Sequence, residues 1–179
     1  MGSSATGIRR IVLTGFMGSG KSTVGPRLAR RLGWWFADAD EAIAEQAGCT
    51  IAEIFRREGE AGFRQRELKA IQDLVQEDQL VLALGGGAIE TAAVRELLLR
   101  EPATELVHLE VELATTLARC HGTEADRPIL ADHAHLAERY QRRMPLYRTA
   151  HRSIAVDHLT PSEVVEAIAE GLYLGSSVM

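Results

Sequence analysis

The densest chemistry in the chain sits at residues 15–23, where Gly15, Gly18 and Gly20 lead into Lys21, Ser22 and Thr23. This is the GxxxxGK[ST] spacing of a phosphate-binding loop. Successive backbone N–H groups and the start of the next helix surround a triphosphate, while the lysine neutralises its outer charge. Gly18, Ser19, Gly20, Lys21, Ser22 and Thr23 are therefore expected to hold a nucleoside triphosphate. The rival reading, a solvated Gly/Ser turn with one lysine, fits poorly, because the loop follows the apolar run Ile11, Val12, Leu13 and precedes Val24, Leu28 and Leu32 at helical spacing. Two other groups could do chemistry near it. One is the carboxylate pair Asp38 and Asp40; the other is the run Gly85, Gly86, Gly87, which without side chains would let a small acceptor lie against backbone amides.

These groups need a scaffold, and the pattern supplies one. Gly33 stops the first helix, and the apolar stretch at 34–37 reads as a second strand ending in the two carboxylates. Asp40 reads as the start of a helix through Ala47, ended by Gly48. Thr50 and Glu53 have capping-box spacing for a short helix closing at Gly59, followed by a longer one carrying Arg64. Residues 80–84 are continuously apolar and too short for an ordinary helix, as in a central parallel strand that ends at the glycine triplet. Helices are expected at about 91–100, 112–119 and 134–147, strands at 106–111 and 153–156, and a last helix opening at Pro161. Alternating strands and helices predict an α/β sandwich around a parallel sheet, with ligands at the C-terminal strand ends.

Composition limits the rest. The chain has 179 residues, 46% hydrophobic and 25% charged, which suits one domain. Its net charge of −5 disfavours nucleic-acid binding, so an anionic ligand must meet locally clustered arginines. Cys49 and Cys120 form neither a disulfide framework nor a thiolate metal site, and a reducing cytoplasm is the expected setting. No apolar run approaches the ~18 residues of a membrane span, and no membrane partner is expected. The six histidines show no helical pairing suited to zinc and read as structural.

Most triphosphate hydrolases end a second apolar strand in an acid that helps hold magnesium. Here that strand ends in glycines, and the chain contains no asparagine, which excludes an Asn-Lys-x-Asp guanine reader. Mg2+ would fall to the Ser22 hydroxyl, phosphates and water, with Asp38 the nearest carboxylate. A small-molecule kinase fits better than a mechanical ATPase.

The P-loop through Val24 and Gly25, Asp38 with Asp40, Gly59-Glu60 with Phe63-Arg64, the glycine triplet, Arg127-Pro128 and the run at 143–147 together resemble the shikimate kinase family, in order and at similar spacing over about residues 8–172. The resemblance implies a three-layer P-loop kinase fold with five parallel strands in the order 2-3-1-4-5, flanking helices and a lid at about 120–133, in a single domain at 1–179 with frayed ends at 1–7 and 175–179. It implies transfer of the ATP γ-phosphate to the 3-hydroxyl of shikimate, with Mg2+; a monomer is expected because nothing in the sequence resembles an obligate hydrophobic interface. By position, Lys21, Asp40 and Arg127 match catalytic residues, Asp40 as the base or its stand-in and Arg127 as the lid arginine over the phosphates. Arg64 and Arg143 match the pair gripping the shikimate carboxylate. Gly86 matches the donor to the substrate, Ser22 the magnesium ligand, and Asp38 the carboxylate reaching magnesium through water.

Each assignment has a plainer rival. Arg64 could simply pair with Glu60 at i,i+4, Arg143 could belong to a solvated face with Arg139 and Arg142, and Asp40 could be a helix cap. The grippers would fit other carboxylated polyols, and an intact P-loop alone would fit a nucleotide-binding regulator. The chain departs from the family near the adenine: Arg119 lies about one position from where a base-stacking arginine is often found, and the stretch 119–126 is less basic.

Overall fold

A computed structural model describes residues 7–120 and 133–174. The expected frayed ends and lid, with Arg127, fall outside these residues apart from Gly7, Cys120 and His133 at their borders. Five strands form one parallel sheet in the order β2-β3-β1-β4-β5: β1 Arg10–Thr14, β2 Trp35–Asp38, β3 Leu80–Ala83, β4 Thr104–Glu110 and β5 Arg152–Ala155. Val12 of β1 lies beside Leu82 on one side and Leu106 on the other. The continuous apolar runs at 11–13 and 80–82 are explained by this position, since central strands are covered on both faces. β2 is an edge strand, and its Trp35 is 75% exposed although the sequence around it is apolar throughout.

The helices are α1 Lys21–Leu32, α2 Ala39–Ala47, α3 Ile51–Leu74, α4 Ala92–Arg100, α5 Leu113–Cys120, α6 His133–Tyr147 and α7 Pro161–Leu174. The helix expected from residue 91 is preceded by a separate 3-10 turn, Ala88–Glu90, and the strand expected from 106 begins at Thr104. α1 and α7 pack together on one face. α1 lies close to β2: a Cβ on Gly25 would stand 2.3 Å from the Phe36 ring.

The start of α2 corrects the sequence reading. Its cap is Asp38, whose Oδ1 accepts hydrogen bonds from the N–H groups of Asp40 (2.9 Å) and Glu41 (3.3 Å), so Asp40 lies inside the first turn. Capping by Asp38 leaves the Asp40 side chain available to the cleft. α3 begins with the expected box, Glu53 N–H donating to Thr50 Oγ1 (3.2 Å) and Thr50 N–H to Glu53 Oε2 (3.0 Å). It breaks at Gly59, whose φ of 71° lies in the left-handed region, and the chain beyond carries Arg64. Ile43, Ile54, Phe63 and Ala70 form a small core between α2 and α3, separate from the main core around the sheet. Burying each large apolar side chain there contributes about 1.5–3 kcal/mol, which holds the α2–α3 layer together locally.

Candidate active site

All sequence-derived site groups among the described residues sit at or just beyond the C-terminal edge of the sheet. Gly18 and Gly20 have φ of 76° and 95°, a backbone that only glycine adopts readily, and α1 starts directly after Gly20 with no side-chain cap on its first amides. Those open N–H groups and the helix dipole make an anion site. Lys21 Nζ donates to Gly15 O at 2.6 Å and lies 3.3 Å from Phe16 O, which folds the ammonium over the loop. The loop is tied to α5, where Thr116 Oγ1 donates to Met17 O (3.1 Å) and Arg119 Nη1 to Gly18 O (2.9 Å). Arg119 also reaches Val156 O at 3.2 Å, bridging the loop to the end of β5.

A cleft of about 760 Å³ runs across this edge, lined by residues 17–24, Asp38, Asp40, the glycine triplet, Arg119 and Arg143, and at its far end Val156, Leu159, Pro161 and Val164. The size suits a nucleotide with a small acceptor. At the acceptor end the glycine triplet is the meeting point. A Cβ on Gly85 would stand 2.9 Å from Asp40 Oδ1, one on Gly87 2.5 Å from Arg64 Nη2 and 3.1 Å from Arg143 Nη2, and one on Gly86 3.5 Å from Arg143 Nη1. None of the three has a positive φ; the close approaches at Gly85 and Gly87 leave no free room for a Cβ, whereas at Gly86 a Cβ would make only ordinary contacts. Asp40, Arg64 and Arg143, which are 24 and 79 residues apart in sequence (64 − 40 and 143 − 64), thus converge on one turn.

Both arginines arrive already paired. Arg64 Nη1 donates to Glu67 Oε2 at 2.8 Å, and its Nη2 lies 3.4 Å from Glu60, so the plain i,i+4 pair is real but secondary. Glu67 is 1% exposed; burial pushes its carboxyl up while Arg64 pulls it back. Arg143 is 8% exposed and donates from Nε (2.9 Å) to Glu90, with Nη2 at 2.8 Å. Burial acts to raise Glu90, but hydrogen bonds from Arg143 and Arg142 outweigh it and hold the carboxyl low. The solvated-face reading therefore fails for Arg143. Asp40 is shifted the other way: burial and the adjacent Asp38 raise its pKa, against the pull of Lys21 and Arg64.

Below the triplet, Tyr147 donates its hydroxyl to Gly86 O at 2.6 Å, which fixes that peptide. Tyr147 stacks on His108 of β4, ring centroids 5.1 Å apart. His108 is fully buried and its pKa falls to about 4, chiefly by burial, with Glu110 raising it and Arg148 and Lys21 lowering it. A lowered folded pKa means stability is intact above the unfolded value of 6.5 and is lost as pH falls toward about 4. The contribution is about 3 kcal/mol. Thermal unfolding between pH 7 and 4 should show the melting temperature dropping more steeply for the native chain than for His108→Gln; superimposable profiles would remove His108 as the cause.

Comparison with known proteins agrees with this geometry. The family model described as "Shikimate kinase" matches residues 17–173. The chain belongs to the shikimate kinase family. A shikimate kinase of Psychrobacter cryohalolentis is 40% identical over 166 residues, covering 90% of this chain and 88% of that one, and one from Moorella thermoacetica is 42% identical over 164 residues, covering 90% and 93%. Among solved structures, a shikimate kinase from Acinetobacter baumannii in complex with shikimate superposes with a TM-score of 0.85 at 36% identity over 96% of both chains. Family membership accounts for the fold and the strand order. Sequence reading missed Glu67, Glu90 and Tyr147, which pair with Arg64, Arg143 and the Gly86 carbonyl. The Glu67 spacing at i,i+3 from Arg64 was a readable signal; for Glu90 no local signal existed.

Proposed function

We propose that this chain transfers the γ-phosphate of ATP to the 3-hydroxyl of shikimate, with Lys21 and Asp40 as catalytic residues and Arg64, Arg143 and Gly86 as acceptor contacts. The observation that carries this is the convergence of one carboxylate and two guanidinium groups on a side-chain-free turn beside a triphosphate loop. Shikimate presents a carboxylate at one end and hydroxyls at the other, which matches guanidinium forks facing Asp40 across Gly85–Gly87. The acceptor oxygen bonds to the γ-phosphorus, the β–γ bridging bond breaks, ADP leaves and Asp40 takes the hydroxyl proton. Since the transition state is loose, alignment and charge neutralisation contribute more than deprotonation. Lys21 and the α1 amides provide that neutralisation, and Arg127 of the lid is assigned the same role.

The donor set fits magnesium. Asp38 uses only Oδ1 for its two cap bonds, leaving Oδ2 outside the cap, and Ser22 adds a hydroxyl at the loop; both are the hard oxygen donors that Mg2+ prefers. Bound there with ATP, Mg2+ would neutralise charge on the β- and γ-phosphates. The purine is assigned to the far end of the cleft, which Arg119, Leu159 and Pro161 line, the arginine offering a flat cation. We place the enzyme in the cytoplasm as a monomer; no described helix is long and apolar enough to cross a membrane.

ADP release from purified protein with Mg-ATP, with and without shikimate, tests the reading, alongside a panel of quinate, gluconate and nucleoside monophosphates. Shikimate-dependent turnover well above every other acceptor is expected. Preference for another acceptor would change the substrate, and ATP binding without transfer to any acceptor would leave a nucleotide-binding protein.

A further inference from the structure

Glu90 lies outside the groups assigned above, yet it touches both the glycine turn's continuation and the acceptor-gripping helix. It closes the 3-10 turn Ala88–Glu90 that follows the triplet, and that turn is pinned by Arg95, whose Nη1 donates to Ile89 O (2.7 Å) and Glu90 O (3.1 Å). From this fixed base its carboxylate splits between two arginines of α6. Oε1 takes Arg142 Nε at 2.8 Å, and Oε2 takes Arg143 Nε at 2.9 Å and Nη2 at 2.8 Å.

A guanidinium has two edges able to hold a carboxylate, one through Nε and one through the paired Nη atoms. Glu90 fills the Nε edge of Arg143. The remaining amine, Nη1, lies over Gly86, 3.5 Å from the space a Cβ would fill there. The two arginines are held differently. Arg64 is braced by Glu67 on its own helix, three residues along, whereas Arg143 has its brace 53 residues away in sequence, on the segment that also supplies the acceptor-facing amides. Without Glu90, Arg143 would keep its charge and its neighbour Tyr147 but lose the carboxylate that holds its Nε edge.

We propose that Glu90 is a positioning residue for the acceptor: it holds Arg143 by the Nε edge so that Nη1 faces the substrate carboxylate over Gly86, and so links the glycine turn to α6. This rests on the shikimate reading above. Its effect belongs to acceptor binding, since Glu90 touches no part of the P-loop. Truncation removes the brace, while glutamine keeps one oxygen able to accept from Nε and Nη2.

The test uses the full chain carrying Glu90→Ala, Glu90→Gln or, as a control, Arg142→Ala, with KM for shikimate, kcat, Kd for ATP and melting temperature measured for each. Glu90→Ala should raise the shikimate KM about tenfold, the effect of losing roughly one charged hydrogen bond, with kcat and the ATP Kd within twofold. Glu90→Gln should recover most of that loss. Arg142 is 61% exposed and shares only Oε1, so Arg142→Ala should leave KM within twofold. An unchanged or lowered KM in Glu90→Ala would overturn the proposal, a lowered value meaning that Glu90 competes with the acceptor. A joint fall in kcat, ATP affinity and melting temperature in Glu90→Gln would equally overturn it, since that marks a structural role alone. A native chain inactive with shikimate would instead refute the functional reading beneath it.

Discussion

Asp40→Asn is expected to lower kcat by about 10²–10⁴-fold, the usual contribution of a positioned general base, while leaving the Kd for ATP near its native value and raising the melting temperature. Kinetics and stability move apart because of how Asp40 is held. Its pKa is raised by burial and by Asp38, and Lys21 and Arg64 only partly offset this. A carboxyl whose folded pKa exceeds its unfolded value of 3.8 favours folding most when protonated, and that contribution is lost as pH rises through the raised folded value. Above its raised folded pKa, Asp40 is therefore a net burden on the fold, which the uncharged amide relieves. The ATP site is spared because the amide keeps the side chain's shape beside Gly85 and removes only a charge attraction to Lys21. Steady-state kinetics with thermal unfolding at pH 7 check both halves. Retention of most turnover would falsify the catalytic assignment, and a lower melting temperature would contradict the electrostatic one.

For Arg143→Ala the expected result is a rise in the shikimate KM of about 10–150-fold, with a much smaller change in kcat and none in ATP affinity. A hydrogen bond to a charged group contributes about 1.5–3 kcal/mol, and each 1.4 kcal/mol is tenfold. Arg143 stands at the upper part of that range: it is 8% exposed, meets both Gly86 and Gly87, and its loss leaves Glu90 with Arg142 as its remaining arginine partner. Lysine should not restore affinity, since an ammonium is a point charge and cannot serve Glu90 with one edge and the acceptor with another. Initial-rate measurements over a wide shikimate range decide it. If KM stays within twofold of native, Arg143 does not bind the acceptor.

The catalytic edge was legible because its chemistry restricts residue type. A triphosphate cradle needs glycines and a lysine at fixed spacing, and Gly18 and Gly20 take up the left-handed backbone this implies. The strands were legible where burial on both faces forces continuous apolar runs, as at 80–82, and less so at β2, where Trp35 faces solvent on an edge. The order of the strands came from the family resemblance, since no local pattern encodes which strands pair. Asp38 and Asp40 were visible as a pair, but which one caps α2 depends on where β2 ends, a matter of one or two residues that tertiary packing decides. Glu90 was invisible for another reason. It is an ordinary glutamate in a short turn, and its partners Arg142 and Arg143 lie more than 50 residues on, brought near only by the fold.

Gly85 to Gly87 carry a consequence for how this gene tolerates missense change. Because none of the three needs a left-handed backbone, alanine at any of them is compatible with folding. At Gly85 and Gly87 the new methyl would meet the ends of the Asp40, Arg64 and Arg143 side chains, which would have to shift, the arginines against their pairing with Glu67 and Glu90; at Gly86 it would make only ordinary contacts. A saturation library scored for cellular abundance would thus pass alanine at all three codons, while the same library selected for turnover would reject it. That divergence, confined to three adjacent codons inside an otherwise buried segment, would mark the acceptor floor without any ligand being supplied.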